Sequence, residues 1–281
     1  KIMNAISKIL DNFRAFNRRR VYKRLLQKPC VSHPDGFLFS GRGRALQQGA
    51  HEAFEAALVK TLLNEVNLFV NIGAHHGFYT CLALSKNINT IAYEPEPLNI
   101  KMIEKHTKSN NFSTPFTLHP SAVGLEFGEL TLFGGGSGGS LMKFDHSNAP
   151  LTQQQTVQVV TLDDTLDLKD SKALCLMDIE GFEYQALKGA IKILGGTSKP
   201  YWIIEVWQEH GEGKSNPSFS EVFSLMSSFG YTAWGINEHE KRIEPFSMEL
   251  VKSIEAGRVT TKCGNFLFVH SDDDLVSRLD L

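Results

Sequence analysis

A sequence of 281 residues, 42% hydrophobic and 21% charged, is long enough to bury a large core in one domain or in one domain with an appendage. Its formal net charge of −2 gives no reason to expect nucleic acid as a partner, because neutralising phosphates requires a basic face. No apolar run approaches the ~20 residues of a membrane-spanning helix. The four cysteines form no CxxC pair, which argues against a zinc ribbon or a disulfide framework and favours a cytoplasmic protein.

The first 28 residues are strongly basic, with nine Lys or Arg residues against one Asp. Apolar residues recur among them at helical spacing, at Ile2, Ile6, Ile9, Phe13 and Phe16. The segment is predicted to be a basic amphipathic helix. Either its apolar stripe docks on the main domain, or it lies on an anionic membrane surface at the cytoplasmic side, where each nearby Lys or Arg adds about 1 kcal/mol.

A second helical period over residues 45–63 leads into an alternation of strands and helices. The runs LFVNIG, TIAYEP and FTLHPSAVG are predicted strands, and FYTCLALSK and PLNIKMIEKHTKSN are predicted helices between them. This alternation indicates right-handed crossovers and a parallel sheet. We therefore divide the sequence into a helical extension over 1–63 and a main domain over 64–281.

The middle of the sequence does not follow this alternation of strands and helices. GELTLFGGGSGGSL combines a short strand with a glycine and serine cluster, which is either a surface loop or a mobile lid over a site. QTVQVVTLDDTL then alternates like a strand that reaches a turn.

Alternation resumes towards the carboxyl terminus. The segments are strand ALCLMDIEG, helix FEYQALKGAIKIL, strand PYWIIEVW, helix PSFSEVFSLMSSFG and two last strands, YTAWGIN and GNFLFVHS. The predicted fold is a doubly wound, Rossmann-like α/β domain. Its sheet is mostly parallel, with an antiparallel strand near the carboxyl terminus.

The turn after the first of these strands is the first candidate site, because doubly wound sheets bind ligands beyond the carboxyl ends of their strands. It reads NIGAHHG and begins at Asn71. Gly73 can adopt backbone angles closed to other residues, and Gly77 lets a helix begin close to a ligand. The turn lacks the third glycine of the dinucleotide motif, which disfavours a nicotinamide dehydrogenase.

The second strand ends at Glu94, about 20 residues beyond Gly73. A carboxylate at this distance accepts hydrogen bonds from ribose hydroxyls in nucleotide sites. Alone, Glu94 would also fit a surface carboxylate. Together with the glycine turn, it predicts an adenosine site.

Carboxylates also follow the next predicted strands. Asp178, Glu180 and Glu183 come directly after the buried run ALCLM, and Glu205 ends the strand YWIIE. Burying a charge without a partner costs several kcal/mol, so these side chains are candidates for chemistry. The alternative is that Asp178 or Glu180 caps the following helix.

These motifs, in this order, resemble the FkbM family of S-adenosylmethionine-dependent methyltransferases. The resemblance covers about residues 68–207 and rests on LFVNIGAHHGFYT, AYEPEP, HPSAVG, VVTLDDTL and LMDIEGFEYQALKGA. It implies a class I methyltransferase fold and S-adenosyl-L-methionine as cofactor. The implied acceptor is a hydroxyl of a sugar, glycolipid or related metabolite.

The resemblance also implies which residues hold the cofactor. Glu94 would bind its ribose, and Ser121 and Ala122 would lie near its adenine. The other cofactor-binding residues are expected to be Asn71, Gly73, Ala74, Gly77, Tyr79 and Pro95. Two departures from the family pattern are Asn71, where an acidic residue is usual, and the pair His75 and His76, where small or amide residues are usual.

A sugar hydroxyl is a poor nucleophile, so a base beside it would help. The candidates are Asp178, which we favour, Glu180, His75 and His76. A divalent metal is not expected, although Asp178 and Glu205, with Glu180, offer the oxygen ligands that Mg²⁺ takes. A different class of function is a catalytically silent adenosine-binding scaffold, tethered through its basic helix. The oligomeric state is open.

Overall fold

The computed structural model describes residues 20–41, 48–49, 52–134, 139–142, 154–169, 171–210, 214–216 and 218–279. The helices are α1 (20–27), α2 (Ala53–Leu62), α3 (Phe78–Ser85), α4 (Pro97–Asn110), α5 (Leu162–Thr165), α6 (Glu183–Lys188), α7 (Ile191–Gly195), α8 (Phe219–Ser228), α9 (Met248–Glu255) and α10 (Leu275–Arg278). The strands are β1 (Val31–Ser32), β2 (Leu38–Phe39), β3 (Leu68–Ile72), β4 (Asn89–Tyr93), β5 (Phe116–His119), β6 (Ala122–Val123), β7 (Gly128–Phe133), β8 (Gln154–Val160), β9 (Ala173–Met177), β10 (Tyr201–Glu205), β11 (Glu209–His210), β12 (Lys214–Ser215), β13 (Tyr231–Asn237), β14 (Arg242–Pro245) and β15 (Asn265–His270).

Eight strands form the main sheet, in the order β14-β13-β15-β10-β9-β3-β4-β5. Strands β10, β9, β3, β4 and β5 are parallel to one another, whereas β15 is antiparallel to both of its neighbours, β10 and β13. The predicted doubly wound, mostly parallel sheet with an antiparallel strand near the carboxyl terminus is confirmed. Strand β14 adds a second antiparallel strand at the edge.

The central strands are buried on both faces. All five residues of β3 and all five of β9 are buried. Alternate side chains point to opposite faces, so that Val70 packs in one core cluster and Phe69 in the other. Helices must therefore cover both faces, as the near-continuous apolar runs of these strands predict.

The order in which strands are added to the sheet reverses at β3. From β3 the chain crosses to β4 and then to β5 on one side, and it later returns to β9 and β10 on the other side. This arrangement leaves a crevice at the carboxyl ends of the central strands. The turn at Gly73, the residue Glu94 and the residue Asp178 all follow strands that end there.

Two sequence-based element predictions are wrong. FTLHPSAVG is not one strand: β5 ends at His119, and β6 joins β7 and β8 in a separate three-stranded sheet. Pro120 lies at the break and has no N–H to donate to a ladder. FEYQALKGAIKIL forms two helices, α6 and α7, separated by Gly189 and Ala190. A Cβ on Gly189 would lie 2.0 Å from the backbone oxygen of Gly124, so only glycine fits at this break.

The described part of the predicted extension packs on the main domain. Tyr22 of α1 is buried, and Phe37 and Phe39 belong to the same core cluster as Phe69 of β3. Most of the predicted basic helix, residues 1–19, lies outside the described residues, as do residues 135–138 of the predicted lid. The boundary between 1–63 and 64–281 stays a prediction. No helix among the described residues is long and apolar enough to cross a membrane.

Candidate active site

A pocket opens at the carboxyl ends of β3, β4 and β9. Its free volume is about 690 Å³, including the part open to solvent. The strand ends and the turns after them form one side, and the small sheet with the residues beyond β7 forms the other. The lining residues are Gly73, His75, Tyr93, Glu94, Pro95, Glu96, Asn99, Ser121, Ala122, Val123, Leu132, Gly139, Leu141, Asp178, Ile179 and Glu180. The pocket therefore occupies the place where α/β sheets bind small ligands.

The glycine turn joins three strand ends through its backbone. The amides of Gly73 and Ala74 both donate to the carbonyl oxygen of Tyr93, each at 3.0 Å. Gly73 has φ +84°, and a Cβ there would lie 1.9 Å from the backbone oxygen of Asp178. Only glycine combines a left-handed backbone with such close approach. Gly73 thus brings the ends of β3, β4 and β9 together beneath the pocket.

Gly77 has a packing role in the structure. It precedes α3 with φ +80°, and a Cβ on it would lie 3.1 Å from Cγ1 of Ile103 in α4. The missing side chain lets α3 and α4 approach each other. Gly77 and the buried Ala74 do not line the described pocket.

Asn71 and Tyr79 also lie behind the pocket wall rather than in it. Asn71 Nδ2 donates to Thr80 Oγ1 at 3.0 Å, which ties the end of β3 to the first turn of α3. The Tyr79 hydroxyl donates to Glu55 Oε1 in α2 at 2.8 Å. The cofactor contacts that the family resemblance implies for these two residues stay a prediction.

Glu94 is buried and faces the pocket. Its Oε2 accepts the backbone N–H of His75 at 2.7 Å, and its Oε1 accepts Glu96 N–H at 2.9 Å and Asn99 Nδ2 at 3.1 Å. Burial raises the pKa of Glu94 to about 7, against the lowering effect of these hydrogen bonds. A carboxylate has about four acceptor positions, so Glu94 keeps capacity for a ligand hydroxyl.

The side chains that the small sheet and the residues beyond it contribute to the pocket wall are apolar, and one buried hydroxyl lies beside them. These side chains are Ala122, Val123, Leu132 and Leu141. Ser121 lies beside them, only 5% exposed, and its Oγ has no hydrogen-bond partner among the described residues. Leaving a buried hydroxyl unpaired costs about 1–3 kcal/mol, so this atom points to a ligand that supplies its partner.

Asp178 and Glu205 form a hydrogen-bonded carboxyl pair at the ends of β9 and β10. Asp178 is exposed to solvent at the crevice, although protein atoms crowd around its carboxyl group. Burial raises the pKa of both groups, and that of Glu205 far above its usual range, because the charge and the hydrogen bond of Asp178 add to burial. The two carboxyl groups therefore share a proton and titrate as a pair.

The loop between β9 and α6 is held by Glu183, not by Asp178 or Glu180. Glu183 Oε1 accepts the backbone N–H of Ile179 at 3.2 Å and that of Gly181 at 3.0 Å. Asp178 and Glu180 accept no capping bond from α6. Glu180 lines the pocket in a left-handed conformation, φ 56°, and burial, with the charges of Asp178 and Glu183, raises its pKa to about 8.

The two histidines of the turn differ in their surroundings. His75 lines the pocket, and its ring stacks on that of His76 with 3.9 Å between centroids. His76 is 3% exposed, and its Nε2 lies 2.6 Å from the hydroxyl oxygen of Tyr22 in α1. His75 therefore stays a candidate base, whereas His76 is part of the buried contact with α1.

Sequence reasoning missed several lining residues. Glu96 and Asn99 belong to the start of α4: Glu96 Oε2 accepts the N–H groups of Leu98 and Asn99, each at 2.8 Å. Glu before Pro97 is a helix-start signal that would have placed both at the end of β4. Leu132 and Leu141 come from the small sheet and the segment after it, where the sequence carries no comparable signal.

No group of three or more His, Cys, Asp or Glu side chains among the described residues is arranged to hold a metal ion. Asp178 and Glu205 provide two carboxyl groups, and they share a proton. The expectation that no divalent metal binds at this pair stays a prediction.

A family model decides the class of this protein: the Methyltransferase FkbM domain matches residues 71–233. The chain belongs to the FkbM methyltransferase family. The match covers the glycine turn, Glu94 and Asp178, which line the pocket, and Glu205, the partner of Asp178. The resemblance seen in the sequence and the class I methyltransferase fold are both confirmed.

Solved structures similar to this FkbM methyltransferase share little sequence with it. A precorrin-6y C5,15-methyltransferase from Geobacter metallireducens GS-15 is 12% identical, with 85% of this chain and 96% of that chain covered and a TM-score of 0.39. An O-methyltransferase segment described as StiE O-MT residues 961–1257 is 11% identical, with 83% and 81% covered and a TM-score of 0.41. An S-adenosylhomocysteine-bound methyltransferase of Podospora anserina, PaMTH1, is 8% identical, with 84% and 91% covered and a TM-score of 0.38. Among curated proteins, none matches this chain significantly.

Proposed function

We propose that this methyltransferase transfers the methyl group of S-adenosylmethionine to a hydroxyl oxygen of a sugar, glycolipid or related metabolite. Membership of the family implies S-adenosylmethionine as donor. The observation that supports the donor site is Ser121 Oγ, a buried hydroxyl that lines the same pocket as Glu94 and has no hydrogen-bond partner among the described residues. An adenosine offers an aromatic ring and polar edge atoms to the apolar wall beside Ser121 and ribose hydroxyls to Glu94.

The donor supplies a methyl group on a positively charged sulfur, and bond formation to the acceptor oxygen accompanies loss of the sulfur–carbon bond. The residues of the pocket would bind and orient the two reactants. Holding reactants in the correct geometry accounts for much of the acceleration in such transfers. Glu94 would hold the ribose hydroxyls. Ser121 and the apolar residues Ala122 and Val123 would hold the adenine.

The acceptor side is proposed at the ends of β9 and β10. Asp178 lines the pocket and shares a proton with Glu205, so we assign it the role of accepting the proton that the acceptor hydroxyl loses. Carboxylates also accept hydrogen bonds from neighbouring hydroxyls. Trp207, two residues after Glu205, is 51% exposed, and it packs on Gly264, where a Cβ would lie 2.9 Å from Cη2. A supported, exposed indole two residues beyond Glu205 suits a sugar ring, which has apolar and hydroxylated faces.

The test is methyl transfer from isotopically labelled S-adenosylmethionine to a panel of oligosaccharides and glycolipids, read by mass spectrometry. Matched panel members that lack free hydroxyls, together with peptides and RNA, are the controls. The proposal expects labelled methyl ethers on hydroxylated acceptors alone, and none with Asp178→Asn. Label on nitrogen, on carbon or on RNA, without methyl ethers on the hydroxylated acceptors, would contradict it.

A further inference from the structure

The carboxylate of Glu94 is reached by a buried hydrogen-bonded relay that begins in α1. The Tyr22 hydroxyl donates to Asn99 Oδ1 at 2.8 Å, and Asn99 Nδ2 donates to Glu94 Oε1 at 3.1 Å. Tyr22 and Asn99 are each 2% exposed. We call these three residues the Tyr22 relay. It links a helix outside the matched region 71–233 to the pocket.

The direction of the relay is fixed by its donors and acceptors. A phenol has one proton, and Asn99 Oδ1 can only accept, so the Tyr22 proton lies on the Asn99 side. The Tyr22 oxygen then accepts from His76 Nε2 at 2.6 Å. This keeps the amide of Asn99 oriented with its NH₂ group towards Glu94. The reversed amide would place its oxygen against the carboxylate, which is repulsive.

The end of α1 and the residues after it are anchored to the helix that carries Asn99. Lys105 Nζ in α4 donates to the carbonyl oxygens of Leu25 and Lys28, the latter at 2.6 Å. The backbone N–H of Ser40 donates to His106 Nε2, also in α4, at 3.1 Å. Residues 20–40 and α4 therefore form one packed unit, in which α1 presents Tyr22 to Asn99.

We infer that Tyr22 is a positioning residue for the donor site: through Asn99 it orients the carboxylate that receives the ribose hydroxyls. This inference rests on the proposed function and adds α1 to the parts of the molecule on which donor affinity depends. A positioned carboxylate matters for a ligand that has both ribose hydroxyls and not for one that lacks them. The relay therefore makes a prediction that a purely structural role of Tyr22 does not make.

The experiment measures dissociation constants of S-adenosylhomocysteine and of its 2′,3′-dideoxyribose analogue by calorimetry. Tyr22→Phe is expected to weaken binding of S-adenosylhomocysteine about tenfold, as for loss of one charge-linked hydrogen bond, and to change binding of the analogue by less than about twofold. Asn99→Ala is a second variant with the same expected pattern. Tyr201→Phe is the matched control, because the hydroxyl of the buried Tyr201 also donates a hydrogen bond to a side-chain oxygen, Asp273 Oδ2, at 2.9 Å.

The possible outcomes separate the two proposals. Equal weakening of both ligands, or no weakening of either, in Tyr22→Phe and Asn99→Ala would overturn the relay while leaving the donor site intact. Loss of affinity in Tyr201→Phe of the same size and ligand pattern would also overturn the relay. A wild-type protein that binds neither ligand would overturn the proposed donor site and the relay with it.

Discussion

A Cβ on Gly73 would lie 1.9 Å from the backbone oxygen of Asp178, so the turn after β3 and the end of β9 are in backbone contact. This contact sets the distance between the donor side of the pocket and the candidate base. Gly73→Ala is expected to destabilise the protein by about 2–5 kcal/mol, from the left-handed backbone and the clash together.

Gly36 provides the matched control in a urea unfolding experiment. It has a similar φ, +87°, but nothing lies within 4 Å of a Cβ built there. Gly36→Ala is expected to cost about 1–2 kcal/mol, from the backbone conformation alone. Equal losses in the two variants would show that the close approach to Asp178 does not exist in solution.

Replacing Asp178 should separate chemistry from binding. Asp178→Asn is expected to leave the affinity for S-adenosylhomocysteine unchanged and to lower the transfer rate by about 10²–10⁴-fold, the range for loss of a general base. Glu205→Gln should cause a smaller loss, since an amide still donates a hydrogen bond to Asp178. Calorimetry and single-turnover rates provide the two readings. An Asp178→Asn variant with a normal rate would remove Asp178 from the mechanism.

Ser121→Ala is expected to weaken donor binding without weakening the fold. Ser121 Oγ has no partner among the described residues, so its removal costs no internal hydrogen bond. A ligand that pairs with it would lose about 0.5–1.5 kcal/mol, or about two- to tenfold in affinity. Thermal unfolding without ligand tests the unchanged stability, and calorimetry with S-adenosylhomocysteine tests the weaker binding. A variant that is less stable but binds normally would mean that the hydroxyl serves the fold.

The stability of the protein should depend on pH through the buried carboxyl group of Glu55. Burial, together with the charge of Glu52, raises its pKa from 4.5 to about 8, so the folded state binds a proton that the unfolded state releases. Glu55 therefore lowers stability progressively as pH rises from about 4.5 to about 8, by at most about 1.4 kcal/mol per pH unit. Glu55→Gln should become more stable than wild type across this window. Parallel stability curves for the two proteins, from urea unfolding at several pH values, would show that Glu55 keeps its ordinary pKa.

Much of the sheet could be predicted from the sequence. Apolar runs indicate buried strands, and the spacing of these runs indicates helical crossovers between them. The helix PLNIKMIEKHTKSN matches α4 from Pro97 to Asn110, since Pro97 and the preceding Glu96 mark its start. The break between β5 and β6 was missed, although Pro120 signals it. Strand β14 and α9 were also missed, because the segment between β13 and β15 is polar and charged.

The site could be predicted from the sequence where a polar side chain follows the end of a strand. It could not be predicted where contacts between distant parts of the sequence determine the position of a residue. Glu94, Ser121 and Asp178 line the pocket, and their roles there stay predictions. Gly77 does not, because its missing side chain accommodates Ile103 of a later helix. Sequence spacing alone gives no information on such a contact. The same holds for Tyr22, whose link to the pocket through Asn99 exists only in three dimensions.

The central claim is that Glu94 receives the ribose hydroxyls of the methyl donor, and one calorimetric comparison tests it. Glu94→Gln and Glu55→Gln alter two carboxyl groups that are equally buried, each 4% exposed, one in the pocket and one behind it. We predict that Glu94→Gln weakens S-adenosylhomocysteine binding about 10- to 100-fold, as for a charge-assisted hydrogen bond, and that Glu55→Gln leaves it unchanged. Unchanged binding in Glu94→Gln would contradict the account.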